Sequence, residues 1–498
     1  MSKRLLCKGL LSKRLYLELA LLGVAWLFVT IFSYNTSPIY KEWGDNTDSA
    51  IFNIIGKYWA QGCLPYVDLW DLKGPLIFFV NAVGFWIASS RLGVYFLQIA
   101  SLTITLIGAY RIFRTHFHVK ASFVLTMVSL ASLSYTYSGG NLTEEYMLPL
   151  LMFSFYGVVK WVKASETGNQ PTHPLSYAFL YGVTFGACLL TRLTNALPIC
   201  GAAAVVAVVL LKRRMFLNLI SCITAFVLGF LFVALPFFAY FLYHDALQSM
   251  WNATFLYAFH YASNSSKDVL ESGLHYFLLS YFNSILLLFV CFLLVIFRHQ
   301  ESLRICTWLC AALFPFIWFC QGNGFGNYGT IVLPLFPIAM IEIHRLRSRT
   351  LLFAVVAIMM VACGSKIRWM HYLYSYTNQE RVDIQAFLHR SPEVDYSSFV
   401  AYNSTPYIYL ERDIRPAAPF FTLQDFFRDR IPGWDSIIVT TFTAKRPEWI
   451  MVKRDAYESN ETLLIQPLLD ESYRLVSSDR EKGLDLYRSC RPSPDRGE

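Results

Sequence analysis

Acidic side chains are concentrated in one segment of this chain, residues 35–91. Five acids lie there, and Lys73 follows the last of them by two residues, within the sequence Lys-Gly-Pro. The acids are Glu42, Asp45, Asp48, Asp68 and Asp71. A carboxylate can take a proton from a nucleophile, and a cation can stabilise charge that develops on a phosphate. The segment therefore has the residue types for transfer chemistry on a phosphorylated substrate.

The spacing after Asp48 predicts an amphipathic helix over 48–61 that lies on the membrane. Gly62 stands just beyond its end, and apolar residues recur at helical intervals before it. They are Ile51, Ile54, Ile55 and Trp59. A carboxylate at the start of a helix is stabilised by the outward-pointing backbone N–H groups. Asp48 is thus either the cap of this helix or a base that takes the proton of a hydroxyl acceptor.

Lys73 is the candidate phosphate ligand of the same segment. A phosphodiester leaving group departs with negative charge, which a nearby ammonium group stabilises most in the transition state. A single lysine at a membrane boundary can equally extend its charge towards water without any such role.

Two further places put charges at the ends of apolar runs. Glu144 and Glu145 lie in GGNLTEEYMLP, and carboxylates there are costly unless they are solvated, paired or metal-bound. Arg192, in LLTRLTNALP, can bind phosphate oxygens through two parallel hydrogen bonds, or it can simply face the lipid headgroups. For the two glutamates, an ordinary acidic membrane boundary is the alternative.

Composition places these residues in a membrane protein. Of 498 residues, 55% are hydrophobic and only 15% are charged, which is too apolar for a soluble chain of this length. The net charge of +8 comes from basic residues in short loops between apolar runs, so it indicates membrane orientation and not nucleic-acid binding. The cysteines show no metal-ligand spacing.

Eleven apolar segments have the length of about 20 residues that a membrane span needs. They are 15–34, 92–113, 121–138, 145–162, 175–191, 195–211, 216–243, 273–297, 303–320, 328–343 and 350–370. If residues 75–89 do not span, six inner segments contain 18 Lys and Arg residues, and the four later outer loops contain two. The positive-inside rule therefore predicts 75–89 as an outer juxtamembrane helix, a cytoplasmic N-terminus and an outer C-terminal region.

The sequence thus predicts an α-helical polytopic membrane domain, residues 1–370, and a soluble domain, residues 371–498, outside the cytoplasm. The soluble part has the content of a small α/β or α+β domain. SIIVTTF (436–442) and PEWIMVK (447–453) are rich in β-branched and aromatic residues, which predicts strands.

The first outer loop resembles that of a known superfamily. An acid opening an interfacial helix, then Gly-x-x-Pro-Tyr-x-Asp and Lys-Gly-Pro before a second helix, is similar to the first periplasmic loop of the GT-C membrane glycosyltransferases. Within them it looks most like the bacterial relatives of protein O-mannosyltransferases and of the lipid A aminoarabinose transferase. The resemblance implies that Asp48 is the general base and that Lys73 binds the carrier phosphate. Asp45 is an additional acid without a counterpart.

The resemblance extends to later loops. It implies that Glu144 or Glu145 helps to organise the acceptor or a divalent ion, and that Tyr328, in QGNGFGNYGTIVLPLFP (321–337), lies in a substrate-binding loop. Leu72 and Asn327 stand where relatives often have histidine. Any phosphate or metal role of those histidines is therefore not expected here.

The resemblance implies a membrane glycosyltransferase of a bacterial inner membrane. It would use a polyprenyl-phosphate sugar as donor, with inversion at the anomeric carbon, and a lipid, glycan or protein as acceptor. No cofactor is implied with certainty, and a divalent cation stays open. A flippase for lipid-linked glycans and an O-antigen polymerase or ligase are the alternatives. Transporters often have paired halves with intramembrane charges, whereas here the acids cluster in one outer loop.

Overall fold

The computed structural model describes residues 2–40, 46–166, 172–264, 278, 280–298, 303–320, 325–375, 378–454 and 462–490. The chain forms two compact units. The first comprises Met1–Ile39, Leu92–Ala239 and Lys267–Tyr374, and the second comprises Tyr40–Arg91, Tyr240–Ser266 and Ser375–Glu498. The first loop, residues 40–91, therefore belongs to the same compact unit as the C-terminal region.

The first unit is helical and apolar. Its helices are Ser2–Phe32, Arg91–Phe113, Val119–Thr136, Thr143–Glu166, Leu175–Leu189, Leu197–Lys212, Phe216–Tyr243, Phe282–Arg298, Leu303–Cys320, Leu335–Leu346 and Arg349–Ser375, with 3-10 turns at Leu193–Ala196 and Gly326–Val332. Among the described residues, eight helices are long and apolar enough to cross a membrane, and one bent pair makes up to nine. The prediction of a polytopic helical membrane protein is confirmed.

Two predicted spans differ in detail from the helices found, and a third lies partly outside the described residues. The segment 175–191 is a helix of only 15 residues, Leu175–Leu189. Within 273–297, residues 273–277 and 279 are outside the described part of the chain, and a described helix spans Phe282–Arg298. The segment 328–343 is not one straight helix, because a 3-10 turn and the helix Leu335–Leu346 meet at a 58° bend. Pro334 stands at that bend, where its ring disfavours a continuous helix.

The second unit begins with two helices of the first loop. The first-loop helix is Thr47–Ala60, close to the predicted 48–61, and the second is Pro75–Ile87, within the predicted 75–89. They pack so closely that a Cβ added to Gly56 would lie 2.8 Å from the backbone N of Ala82. Most residues of the first-loop helix are buried, so this helix packs within the second unit.

The rest of the second unit is a small α+β domain. Its remaining helical segments are Leu247–Trp251, Asn252–Tyr257, Ala258–Asn264, Gln379–His389, Tyr396–Ser398, Tyr407–Glu411, Asp425–Phe427, Trp434–Lys445 and Gln466–Ser472. The strands are β1 (Phe399–Tyr402), β2 (Trp449–Lys453), β3 (Tyr473–Asp479) and β4 (Leu484–Ser489), in the sheet order β1-β2-β4-β3. The pair β1 and β2 is parallel, and the other two pairs are antiparallel.

One strand prediction is confirmed and the other is wrong. PEWIMVK contains β2, but SIIVTTF lies inside the helix Trp434–Lys445. Trp434, Ile438 and Phe442 are the buried residues of that helix, at intervals of four. This helical spacing places three large side chains on one face, and their burial outweighs the weak strand preference of the β-branched residues between them.

Candidate functional site

The first-loop helix is capped by Asn46 and not by Asp48. The Asn46 side chain accepts a hydrogen bond from the Ser49 backbone N–H at 3.2 Å. The Tyr407 hydroxyl donates to the Asn46 carbonyl at 2.7 Å, which holds this helix start from outside. Asp48 follows in the first turn with its side chain 42% exposed. The Asp48 carboxylate is therefore not the capping group of this helix.

The motif Gly-x-x-Pro-Tyr-x-Asp forms a compact turn around Tyr66. Tyr66 adopts a left-handed backbone conformation, φ 69°, and its N–H donates to the Leu69 carbonyl at 2.7 Å. The Asp68 carboxylate closes the turn by accepting from the Leu64 N–H at 2.7 Å. The Tyr66 hydroxyl then donates to the carbonyl of Lys73 at 2.7 Å. The motif thus fixes the backbone at the lysine.

Lys73 and Asp48 form an ion pair. The Lys73 Nζ lies 3.6 Å from Asp48 Oδ2, with the lysine side chain 24% exposed. The same ammonium group lies 6.0 Å from the centre of the Phe52 ring, at the outer limit of a cation–π contact. The structure therefore brings the two first-loop candidates together.

Asp71 is a further carboxylate at this place. It is 6% exposed, and its Oδ1 accepts from the Lys73 backbone N–H at 2.9 Å. Burial raises the pKa of Asp71, the Lys73 ammonium group opposes this, and the Asp48 carboxylate adds to it. Sequence reasoning counted Asp71 among the loop acids but gave it no role. The spacing Asp-x-Lys was the available signal, because it permits a carboxylate to bind the backbone two residues later.

The residues around Lys73 are anchored in the C-terminal core. Leu72 is part of a buried cluster that includes Trp434. The Trp70 ring packs on Phe420, Phe427 and Trp434 at centroid distances of 5.2, 5.7 and 4.9 Å. The backbone N–H of Trp70 donates to the Pro419 carbonyl at 3.0 Å. Apolar residues at 70 and 72 thus alternate with the polar residues at 71 and 73. The C-terminal domain holds this part of the loop in place.

In the first unit, Glu145 is occupied by hydrogen bonds. Its carboxylate accepts from Gln98 Nε2 at 3.2 and 3.0 Å, from the Tyr137 hydroxyl at 2.6 Å and from the Asn141 N–H at 2.8 Å. Asn141 has a left-handed backbone, φ 58°, in the turn that precedes the helix Thr143–Glu166. The carboxylate therefore fastens this turn to the helix Arg91–Phe113, which contains Gln98.

Glu144, Arg192 and Tyr328 form a second group in the same unit. Arg192 Nη1 lies 3.0 Å from Glu144 Oε1, and the glutamate side chain is 3% exposed. The Arg192 guanidinium carbon lies 3.3 Å from the centre of the Tyr328 ring, a stacked cation–π contact. Ion pairing and stacking orient the guanidinium, whose side chain stays 20% exposed. The sequence analysis singled out all three residues, but only the fold shows that they are in contact and that Glu145 has different partners.

Asp45 lies outside the described residues. Within the described part of the chain, no group of three or more His, Cys, Asp and Glu side chains could hold a metal ion.

The apolar helices and the sheet-bearing second unit give this chain the fold of the GT-C membrane glycosyltransferases, which its first loop resembles. ArnT from Cupriavidus metallidurans bound to undecaprenyl phosphate matches with a TM-score of 0.59 and 14% identity, over 96% of this chain and 98% of that chain. ArnT in the apo state matches equally, with 13% identity and the same TM-score and coverage.

An Archaeoglobus fulgidus oligosaccharyltransferase in complex with Zn and sulfate is less similar. Its TM-score is 0.46 at 12% identity, over 87% of this chain and 68% of that chain. No protein-family model and no curated protein sequence matches the chain. At these identities, the similarity to solved structures establishes the fold alone.

Proposed function

We propose that this chain is a membrane glycosyltransferase that moves a sugar from a polyprenyl-phosphate carrier to an acceptor hydroxyl at the outer face of a membrane. The observation that carries the proposal is the pairing of Asp48 and Lys73, a half-exposed carboxylate and an ammonium group 3.6 Å apart in the first loop. The fold similarity to ArnT, a protein solved with undecaprenyl phosphate, supports a lipid-phosphate donor.

The reaction is a direct displacement with inversion. The acceptor oxygen attacks the anomeric carbon as Asp48 takes its proton, and the bond from that carbon to the phosphate oxygen breaks. The bonding electrons leave with the polyprenyl phosphate, whose increased negative charge faces Lys73. A general base of this kind contributes roughly 10²- to 10⁴-fold to the rate.

The ion pair couples the two residues. The Lys73 ammonium group attracts the Asp48 carboxylate across 3.6 Å. A donor phosphate that approaches Lys73 competes for this cation and leaves the carboxylate free to accept a proton. Binding of the donor would thus activate the base.

Two neighbours act as positioning residues for Lys73. The Tyr66 hydroxyl binds its carbonyl, and the Asp71 carboxylate binds its N–H. Both bonds hold the backbone on either side of the Cα, which limits where the ammonium group can reach.

We propose phosphate or substrate binding for Arg192 and Tyr328 as a separate role, supported by the stacked and ion-paired guanidinium. Glu144 would then keep the arginine in its orientation. For Glu145 we propose a positioning role in its turn, because its oxygens already accept several hydrogen bonds. Asp45 remains a proposed additional acid.

We further propose a bacterial inner membrane, with a cytoplasmic N-terminus and the C-terminal domain outside. The distribution of Lys and Arg supports this orientation. Alkaline phosphatase fused to the C-terminus should be active in cells, and a fusion after Arg214 should be inactive. The opposite pattern would invert the orientation.

The test of the activity is transfer of radiolabelled sugar from a panel of polyprenyl-phosphate sugars to membrane lipids, glycans and proteins. The variants are Asp48→Asn and Lys73→Ala. Lys57→Ala is the matched control, because Lys57 also pairs with an aspartate of this unit, Asp413, but lies away from the Asp48 pair in sequence. Protein levels in the membrane are measured alongside.

Asp48→Asn should lower the turnover rate by roughly 10²- to 10⁴-fold, as expected for the loss of a general base. Lys73→Ala should lower kcat/KM for the donor by roughly 10- to 100-fold, as expected for a lost bond to a charged phosphate. Lys57→Ala should retain activity. Transfer that persists in Asp48→Asn would remove the proposed base, and transport of a lipid-linked glycan without any transfer would favour the flippase alternative.

A further inference from the structure

A basic cavity lies at the ends of two helices of the first unit, away from every residue assigned above. Its volume is about 400 Å³, within the range of small-ligand sites. The described residues that line it are Arg304, His344, Arg345 and Arg347. They come from the start of the helix Leu303–Cys320 and from the end of Leu335–Leu346. Among the residues that the structure describes, the lining thus has three guanidinium groups and an imidazole, and no acid.

Two acids nearby hold the cavity's arginines in place without lining it. Glu166 Oε1 accepts from Arg304 Nη1 at 2.7 Å, and Glu166 Oε2 lies 3.0 Å from Arg345 Nη2. Glu342 Oε2 lies 3.3 Å from Arg304 Nε. Both glutamates line a neighbouring space of only about 10 Å³. The two guanidinium groups are therefore fixed from that side, while the described side chains that line the larger cavity are all basic.

Arg347 is held in a conformation that does not suit it. It ends the helix Leu335–Leu346 with a left-handed backbone, φ 56°, a position where glycine or asparagine is the usual residue. Backbone strain of this kind at a residue other than glycine is common where a side chain contacts a ligand. Arg347 is also exposed, so its guanidinium can reach a ligand.

The surroundings favour a lipid as the source of that ligand. The helix Arg349–Ser375 begins two residues after Arg347, and only 11% of its apolar span is buried. Acyl chains can therefore lie along this helix while a headgroup phosphate meets the arginines. The segment 344–349 is one of the basic inner segments of the sequence-predicted topology, and basic pockets between membrane helices on that side bind anionic headgroups.

We propose that this cavity is a binding site for the phosphate headgroup of an anionic phospholipid. Arginine suits this role because its planar guanidinium group can give a phosphate two parallel hydrogen bonds. The proposal concerns a lipid ligand of the fold and is independent of the transfer reaction.

The test uses the purified full chain in detergent and native mass spectrometry with phosphatidylglycerol, phosphatidylethanolamine or inorganic phosphate. Arg347→Gln is the test variant. Arg349→Gln is the matched control, because it removes the same charge from an exposed position two residues away. Arg347→Gly is a second variant, which removes the side chain and relieves the left-handed backbone.

We expect the wild-type chain to retain phosphatidylglycerol more strongly than phosphatidylethanolamine. Both Arg347 variants should bind phosphatidylglycerol roughly tenfold more weakly, and Arg349→Gln should stay within about twofold of the wild type. Without added lipid, Arg347→Gly should melt no lower than the wild type, so its loss of binding cannot come from unfolding.

Three results would overturn the proposal. Equal losses in Arg347→Gln and Arg349→Gln would indicate a diffuse surface-charge effect. Equal retention of the two phospholipids would remove the preference for an anionic headgroup. If inorganic phosphate binds the wild-type chain, and phosphatidylglycerol neither binds nor displaces it, the cavity is a site for a free anion.

Discussion

The C-terminal domain should control transfer through Trp70, and this role can be tested by shortening that side chain. Trp70 packs on three aromatic rings of the domain, at 5.2, 5.7 and 4.9 Å, and lies three residues before Lys73. Replacing a tryptophan packed in this way by alanine costs about 3 kcal/mol of packing free energy. The backbone hydrogen bond from Trp70 to Pro419 can survive the change, so the loss is one of packing.

A loss of about 3 kcal/mol in docking of this segment lowers the population of the correctly placed Lys73 by up to roughly 100-fold. We therefore expect Trp70→Ala to raise the KM for the donor and to lower kcat/KM by one to two orders of magnitude, although Trp70 has no part in the chemistry. Trp70→Phe keeps an aromatic ring and should recover most of the activity.

Two assays follow the effect. Transfer kinetics give KM and kcat, and alkylation of Cys63 followed by peptide mass spectrometry reports opening of the first loop, since Cys63 is buried there. Trp449→Ala is the control: Trp449 is fully buried in the same domain but lies outside the cluster that contains Leu72. At a temperature where both variants are folded, only Trp70→Ala should show faster alkylation and weaker transfer. Wild-type kinetics and alkylation in Trp70→Ala would refute the anchoring role.

Three further outcomes are expected. Because burial raises the pKa of Asp71, the folded chain favours its neutral form; that stabilisation is complete below the ordinary value of about 3.9 and is lost as the pH rises through the raised value. The melting temperature should therefore change less between about pH 4 and about pH 8 in Asp71→Asn than in the wild type. The same pH dependence in both proteins would contradict the burial of a titrating Asp71. Glu145→Gln replaces an oxygen that accepts hydrogen bonds by an NH₂ group, which cannot accept them from Gln98 and Tyr137. It should lower the free energy of unfolding by about 1 to 3 kcal/mol, measured by thermal unfolding. Unchanged stability would show that these hydrogen bonds are not required. Gly56→Ala should cost about 1 to 3 kcal/mol, because the new methyl group meets the backbone of the second loop helix, whereas Gly23→Ala has open space and should be neutral or slightly stabilising; equal melting temperatures would refute the close packing.

Patterns that are local in the chain gave correct predictions. The apolar runs predicted a polytopic helical protein, the spacing after Asp48 predicted a helix within one residue of its actual bounds, and the first-loop motif indicated the GT-C fold. The sequence predicts these features because a membrane span requires only sufficient length and low polarity, and an amphipathic helix requires only apolar residues at helical spacing. The motif also named Asp48 and Lys73, whose ion pair is now visible.

Contacts between distant segments decided the rest. Residues 436–442 are helical because Trp434, Ile438 and Phe442 fill one core, although their neighbours prefer strands. Asn46 caps the first-loop helix and leaves Asp48 available, a choice between two good capping residues that the local sequence does not resolve.

Glu144 and Glu145 show most clearly that the local sequence does not determine which distant residues a side chain contacts. They are adjacent and chemically identical in kind, yet one pairs with Arg192, 48 residues later, and the other accepts from Gln98, 47 residues earlier. Successive residues of a helix point about 100° apart, so each meets a different neighbour. The sequence by itself determined that carboxylates stand at this helix start, and only the tertiary structure decided what each of them binds.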